Sequence, residues 1–173
     1  MTNKSASFIE NKSQLIQYFN DGIKKNTNLR IGVEHEKFLF NRKDLKRIDY
    51  EKIKKVFELL KNNGWELQYE KDKIIGLKKG NQKITTEPGF QYELSGAPFK
   101  NIHSVCSENS SHFNELKEVF KSTNVTTSSI AYDPFNKLID IPKSPKERYK
   151  IMTAEMPRGG KLSLDMMLSL IHI

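Results

Sequence analysis

The sequence predicts an α+β domain built around a largely antiparallel sheet with flanking helices. Helical periodicity marks a few long segments, and between them lie short β-prone runs whose connections are too brief for helical crossovers. A chain of 173 residues with 36% hydrophobic content can bury one real core.

The elements follow in order. The spacing of Leu15, Ile16, Phe19 and Ile23 predicts a helix over Ser13 to Lys24, weakened near its end by Gly22. "IGVEHEKFLF", Ile31 to Phe40, reads as a strand. On it Glu34 and Glu36 share a face with Gly32 and Phe38, while Val33, His35, Lys37 and Leu39 share the other. "DYEKIKKVFELLKNNG" is the clearest helix, with Asp49 as N-cap, Tyr50, Ile53, Phe57 and Leu60 as its apolar face and Gly64 as its stop. "WELQYE", "KIIGLKKG", "QKITTE" and "FQYELS" are strand-length and separated by charged or glycine-bearing turns, which suits an antiparallel meander.

A third helix is predicted over Asn101 to Lys121, with Ile102, Val105, Phe113, Leu116 and Phe120 at helical spacing. Cys106 beside them is expected to be a small core residue, since nothing nearby in sequence would activate its thiol; His103 and His112 are expected to be surface or satisfied polar residues. "NVTTSSIAYDPF" supplies one more strand. After an irregular stretch from Asp133, "SPKE" (Ser144 to Glu147) fits a capping box with proline at the first helical position, opening "PKERYKIM". Pro157 ends that helix, and "RGGKLSLDMML" leads toward a final strand entered by Asp165.

Composition narrows the function classes. The net charge of +8 invites a nucleic-acid reading, but the lysines are spread from Lys4 to Lys161, without arginine and aromatic interleaving or a recognition-module signature. A solvated basic surface is the expected state, with no specific nucleic-acid partner. One cysteine excludes an internal disulfide framework, and the opening "MTNKSASFIENKSQ" lacks an apolar core of a signal peptide, so a cytoplasmic location is expected. No apolar run approaches the roughly 20 residues of a membrane span, and no membrane partner is expected.

Familiar catalytic motifs fail. "HEKFL" has Leu39 where a zinc protease needs its second histidine, "EMPRGGKL" has Glu155 and Leu162 where a phosphate loop needs glycine and Ser or Thr, and no G-x-G-x-x-G occurs. What remains is acidic: Glu34 and Glu36 on one strand, Glu87 before a Pro-Gly turn, and Glu93 in the next strand. Carboxylates on neighbouring strands repel one another, and a hard divalent cation such as Mg²⁺, which takes carboxylate oxygens together with water and phosphate, relieves that repulsion. An exposed strand edge whose glutamates answer lysines is the alternative.

"IGVEHEKFLF", "TTEPGFQYELSGAP", "ERYKIM" and "MPRGGKLSLDMML" resemble, in order, segments of the plant and proteobacterial type of glutamate–cysteine ligase. The resemblance implies a glutamine synthetase-like carboxylate–amine ligase fold, in which a curved, largely antiparallel sheet lines a funnel. It implies a reaction that joins the cysteine amine to the γ-carboxylate of glutamate with ATP and Mg²⁺, the first step of glutathione synthesis. By the same resemblance Glu34, Glu36 and Glu93 are catalytic metal ligands. Glu87 stands open between metal or substrate binding and a turn-stabilising role. Arg148 and Tyr149 lie where an arginine fork would hold a substrate α-carboxylate, with a plain helix-surface arginine as the alternative, and Arg158 and Lys161 are looser candidates for phosphate or substrate contact.

Two departures stand out: Phe90 replaces the family's second glycine, and Glu147 stands where glycine is usual. Residues 1–168 are expected to be an N-terminal part of the catalytic domain and 169–173, "SLIHI", a non-matching tail, leaving a truncated chain that is inactive alone. The other readings kept open are a ligase with another amine acceptor and a non-catalytic metal or amino-acid binding module.

Overall fold

The computed structural model describes residues 8–24 and 29–170; residues 1–7, 25–28 and 171–173, the last three of the expected tail among them, lie outside the described residues. The chain divides into two units, Met1–Arg30 and Ile31–Ile173. In the first, α1 (Lys12–Asp21) begins at Asn11, whose side chain accepts the Gln14 amide at 3.1 Å.

In the second unit, six strands form one sheet in the order β2-β3-β4-β5-β1-β6: β1 is Glu34–Asn41, β2 Glu66–Glu70, β3 Lys73–Lys79, β4 Gln82–Thr86, β5 Tyr92–Ser95 and β6 Val125–Ser128. Every neighbouring pair is antiparallel. The first strand is shorter at its start than expected: Ile31 makes only an isolated bridge to Phe99, and regular pairing begins at Glu34.

Two helices cover one face. In α2 (Tyr50–Leu60) the Asp49 carboxylate caps the Lys52 amide at 3.0 Å, and Ile53, Val56, Phe57 and Leu60 are buried. Gly64 stops the segment in the left-handed conformation, φ 85°, that its missing Cβ permits. In α3 (Ile102–Thr123) the buried stripe runs through Val105, His112, Leu116, Val119, Phe120 and Thr123. Each helical residue turns by about 100°, which carries Cys106 about a quarter turn off the line through Val105 and His112; the thiol is exposed, not part of the core, and Ile102 and Phe113 are exposed as well. Leu39, Ile84, Tyr92 and Leu94 complete the core from the sheet side.

The chain after β6 departs most from expectation. No capping box forms: α4 spans Glu147–Glu155 without a side-chain cap from its own N-cap residue, Lys146. Ser144 instead faces the sheet, its amide donating to Pro88 O at 2.8 Å and its hydroxyl 3.3 Å from that of Thr86. The cap comes from a distant strand, where Glu70 Oε2 accepts the Glu147 amide at 2.8 Å and places an anion at the positive end of the helix. Nor does "RGGKLSLDMML" become a strand. It forms a tight turn, Met156–Gly159, and the short helix α5 (Ser163–Met166), where Asp165 is half-buried. Two glycines and Pro157 supply turn geometry there, not extended backbone. Ser169 and Leu170 are tied down by Gln91 Nε2, which donates to Ser169 O at 3.0 Å, and by Ala131 O, which accepts the Leu170 amide at 2.8 Å.

His112 is buried, not a surface residue. Its ring stacks on Tyr92 at 5.9 Å, its Nε2 lies 3.4 Å from the Tyr92 hydroxyl, and its Nδ1 has no hydrogen bond. Burial, and then the nearby Lys37 ammonium, lower its pKa to about 4. The unfolded chain therefore takes up a proton on His112 below about pH 6.5 that the folded chain refuses until about pH 4. Stability from this group is lost as pH falls through that window, by on the order of 3 kcal/mol in full. Thermal melts of the wild type and of His112→Gln are expected to diverge between pH 7 and 4, with the wild type falling more steeply; parallel curves would remove His112 as the cause.

Candidate active site

The register of β1 against β5 sets the site. Glu36 stands directly opposite Glu93, Glu34 opposite Ser95, and Thr85 of β4 is the partner of Glu93 on its other side. These side chains share the face turned away from α2 and α3, because their strand neighbours Leu39, Ile84, Tyr92 and Leu94 enter the core. Glu93 is held by its neighbours: Ser95 Oγ donates to Oε1 at 2.7 Å, and Thr85 Oγ1 lies 3.4 Å from Oε2.

Among the described residues Glu36 has no such support. Its carboxyl is pushed up to about 7, first by burial and then by the negative charges of Glu93, Glu87 and Glu34. Glu87 is also raised by burial, though Lys146 and Arg148 oppose the rise. The carboxylate face thus contains two groups that resist ionisation where they stand.

The turn between β4 and β5 aims Glu87. Phe90 donates its amide to Glu87 O at 2.9 Å, and the Glu87 amide donates to Gln91 O at 2.9 Å, closing a turn through Pro88 and Gly89. Phe90 adopts φ 58°, the left-handed region that the family's glycine would enter freely, and its ring is buried 6.5 Å from that of Tyr50. Core burial of the ring offsets a backbone cost of about 1–2 kcal/mol. Arg47 braces the same turn, donating to Gly89 O while its guanidinium lies 4.3 Å over the Phe38 ring.

The residues expected from α4 meet this turn. Arg148 Nη2 donates to Glu87 Oε1 at 3.3 Å and to the Tyr149 hydroxyl at 2.5 Å, and that hydroxyl donates to Thr86 O at 3.0 Å. Tyr149 is buried and lines a cleft of about 650 Å³ together with Pro88, Leu138, Ile139 and Leu168. Arg158 pairs instead with Glu155 at 2.5 Å, and Lys161 is exposed; neither bonds to the carboxylate group.

The residue that reading by segments missed is Lys146. It is 5% exposed, and its Nζ donates to Thr86 O at 2.7 Å. Burial, and then Arg148, lower its pKa to about 8, while Glu87, Glu93 and Glu70 oppose the fall. It sits in the same "PKERY" stretch as Arg148 and Tyr149, and a lysine beside a helix start was the available signal.

Glu36 and Glu93 offer hard oxygen donors without a cationic partner for Glu36, which fits a divalent cation. Among the described residues no group of three or more His, Cys, Asp or Glu is gathered to hold a metal by protein ligands alone. Mg²⁺ does not require one, since it is commonly held by one or two carboxylates with water and phosphate filling the remaining positions.

Glu36 also gives a pH-dependent expectation. Its folded pKa lies above the unfolded value of about 4.5, so ionisation costs stability as pH rises from 4.5 through about 7. Without metal at pH 8, Glu36→Gln is expected to raise the melting stability by on the order of 1 kcal/mol after solvent screening, and to have no such effect at pH 4.5. A variant less stable than the wild type at pH 8 would contradict the electrostatic account.

Comparison with known proteins identifies the family. The model of glutamate-cysteine ligase family 2 matches residues 30–173. The chain is 42% identical over 157 residues to glutamate–cysteine ligase A, chloroplastic, of Oryza sativa subsp. japonica, covering 90% of this chain and 32% of that protein. It is 42% identical over 158 residues to the chloroplastic glutamate–cysteine ligase of Arabidopsis thaliana, covering 91% of this chain and 30% of that protein. The chain thus spans about a third of the length of these curated relatives. No described helix is long and apolar enough to cross a membrane. By the extent of the family match, the chain belongs to glutamate-cysteine ligase family 2.

Proposed function

We propose that this chain forms part of the active site of an ATP- and Mg²⁺-dependent ligase that joins the γ-carboxylate of glutamate to the amine of cysteine, the first step of glutathione synthesis, on a glutamine synthetase-like sheet. The observation that carries the proposal is the opposition of Glu36 and Glu93 across β1 and β5, on the sheet face free of α2 and α3. Family membership supplies the reaction class.

A carboxylate is a poor acyl donor, so ATP first converts it to an acyl phosphate that the amine then attacks. Both steps gather negative charge, which bound Mg²⁺ offsets. Glu36 and Glu93, with Glu34 at the strand entry, are the residues that would hold the metal. The Arg148 side chain is mostly exposed beside Glu87, and its Nε and Nη1 donors remain for a substrate carboxylate. Tyr149, anchored on Thr86 O, fixes the side of that contact. Glu87 orients Arg148 and remains within electrostatic reach of Glu36.

A chimera in which these 173 residues replace the matching segment of the Arabidopsis thaliana relative tests the reading. It is expected to form γ-glutamylcysteine with ATP and Mg²⁺, and Glu36→Gln is expected to lower kcat/KM by about 10²-fold or more. A chimera that folds but makes no product, or one indifferent to Glu36→Gln, would overturn it.

A further inference from the structure

Arg47 is a buried arginine that stands outside the carboxylate group. Its side chain is 1% exposed, and that of Asp133, whose Oδ2 lies 3.6 Å from Nη1, is 2% exposed. Taking two charges out of water is costly unless hydrogen bonds satisfy their polar atoms, and apolar side chains of similar volume commonly hold a core at least as well. Arg47 is only partly satisfied: Nη2 donates to Gly89 O, whereas Nε and Nη1 make no hydrogen bond among the described residues. Core stability alone does not account for a guanidinium here.

What distinguishes Arg47 is the set of segments it joins. Its backbone bridges Phe40 of β1, and its guanidinium lies 4.3 Å from the centre of the Phe38 ring and 5.9 Å from that of Phe40. By strand alternation these two rings continue the face of β1 that carries Glu34 and Glu36. Gly89 O, which Nη2 holds, belongs to the turn that aims Glu87, and it has no other donor among the described residues. Asp133 lies in the segment that leads to α4 and Arg148, and it is itself fixed, accepting the Phe135 amide at 2.8 Å and the Asn136 amide at 3.1 Å.

We propose that Arg47 is a positioning residue, which sets Arg148 relative to the Glu36–Glu93 pair by fixing the Glu87–Phe90 turn against β1. The turn passes the constraint on, because Glu87 Oε1 accepts from Arg148 Nη2 at 3.3 Å. A planar fork is what the joint requires: one terminal nitrogen serves Gly89 O while the other faces Asp133. A lysine ammonium, a point charge on a flexible stem, does not hold that arrangement, and a buried Gly89 O without a donor would move to find one. The consequence for substrate rests on the ligase reading; the joint between strand, turn and α4 does not.

The test has two arms. On the 173-residue chain, NMR follows the Phe90 amide, which donates inside the turn, and the Arg148 Nε–H. Arg47→Lys is expected to speed exchange of the Phe90 amide about tenfold relative to the Leu94 amide of β5, and to move the Arg148 resonance. Val56→Ala, a truncation on the buried face of α2, is expected to lower the melting temperature and leave both signals in place. Signals in Arg47→Lys that merely follow those of Val56→Ala would make Arg47 an ordinary core charge and overturn the proposal. In the Arabidopsis thaliana chimera, Arg47→Lys is expected to raise KM for glutamate about tenfold, with kcat and KM for ATP within about twofold, as loss of a binding contact does. An unchanged KM for glutamate, or both KM values rising together, would also overturn it. If Arg47→Lys fails to fold, Asp133→Asn, which weakens the same joint from its other side, carries both arms. An inactive wild-type chimera, with the Arg148 signal still answering to Arg47→Lys, would sink the ligase reading alone.

Discussion

The pairing register of β1 with β5 is the constraint from which the rest of the molecule follows. It sets Glu36 against Glu93 on one side and Lys37 against Tyr92 on the other. A slip of one residue would exchange the faces of the whole strand, driving Glu36 toward the helices and withdrawing Leu39 from the core. Packing of Leu39, Tyr92 and Leu94 under α2 and α3 therefore determines where the carboxylates stand. The core holds the register, and the register creates the electrostatic problem that a cation would solve.

The two faces divide the work. The helix side holds the apolar core, and among its charges Lys37 lies 4.9 Å from the centre of the Phe113 ring and Lys79 pairs with Glu115 at 2.7 Å. The other side keeps polar groups half-buried, where charges interact more strongly than in water yet remain open to ligand. Residues 131–170 cover one end of that side through Gln91, Thr86 and Glu70, and so bring α4 to the site. Sheet and loop chemistry meet at the Glu87–Phe90 turn, where a left-handed Phe90 is retained because its ring belongs to the core.

Much of this was legible in the sequence. Asp49, Gly64 and the turn-separated strands carry their meaning within a few residues, so α2 and the meander were read from local signals. The face shared by Glu34 and Glu36 followed from strand alternation alone. The failures involve partners far away in sequence. Ser144 fits a capping box locally, but Thr86 and Pro88 claim it, and Glu70, 77 residues away, caps the helix instead. Cys106 sits next to apolar residues in sequence, yet helical geometry turns it outward. Lys146 was passed over because a lysine among charged residues ordinarily points to water; only the fold shows it buried against Thr86 O.

The most direct test of the account is a side-chain carboxyl NMR titration of Glu36, followed first without metal and then with saturating Mg²⁺. The account predicts a midpoint near 7 without metal, set by burial and by the facing carboxylates, and a marked fall when Mg²⁺ is added. A midpoint near the ordinary glutamate value, or one that Mg²⁺ leaves unmoved, would contradict it.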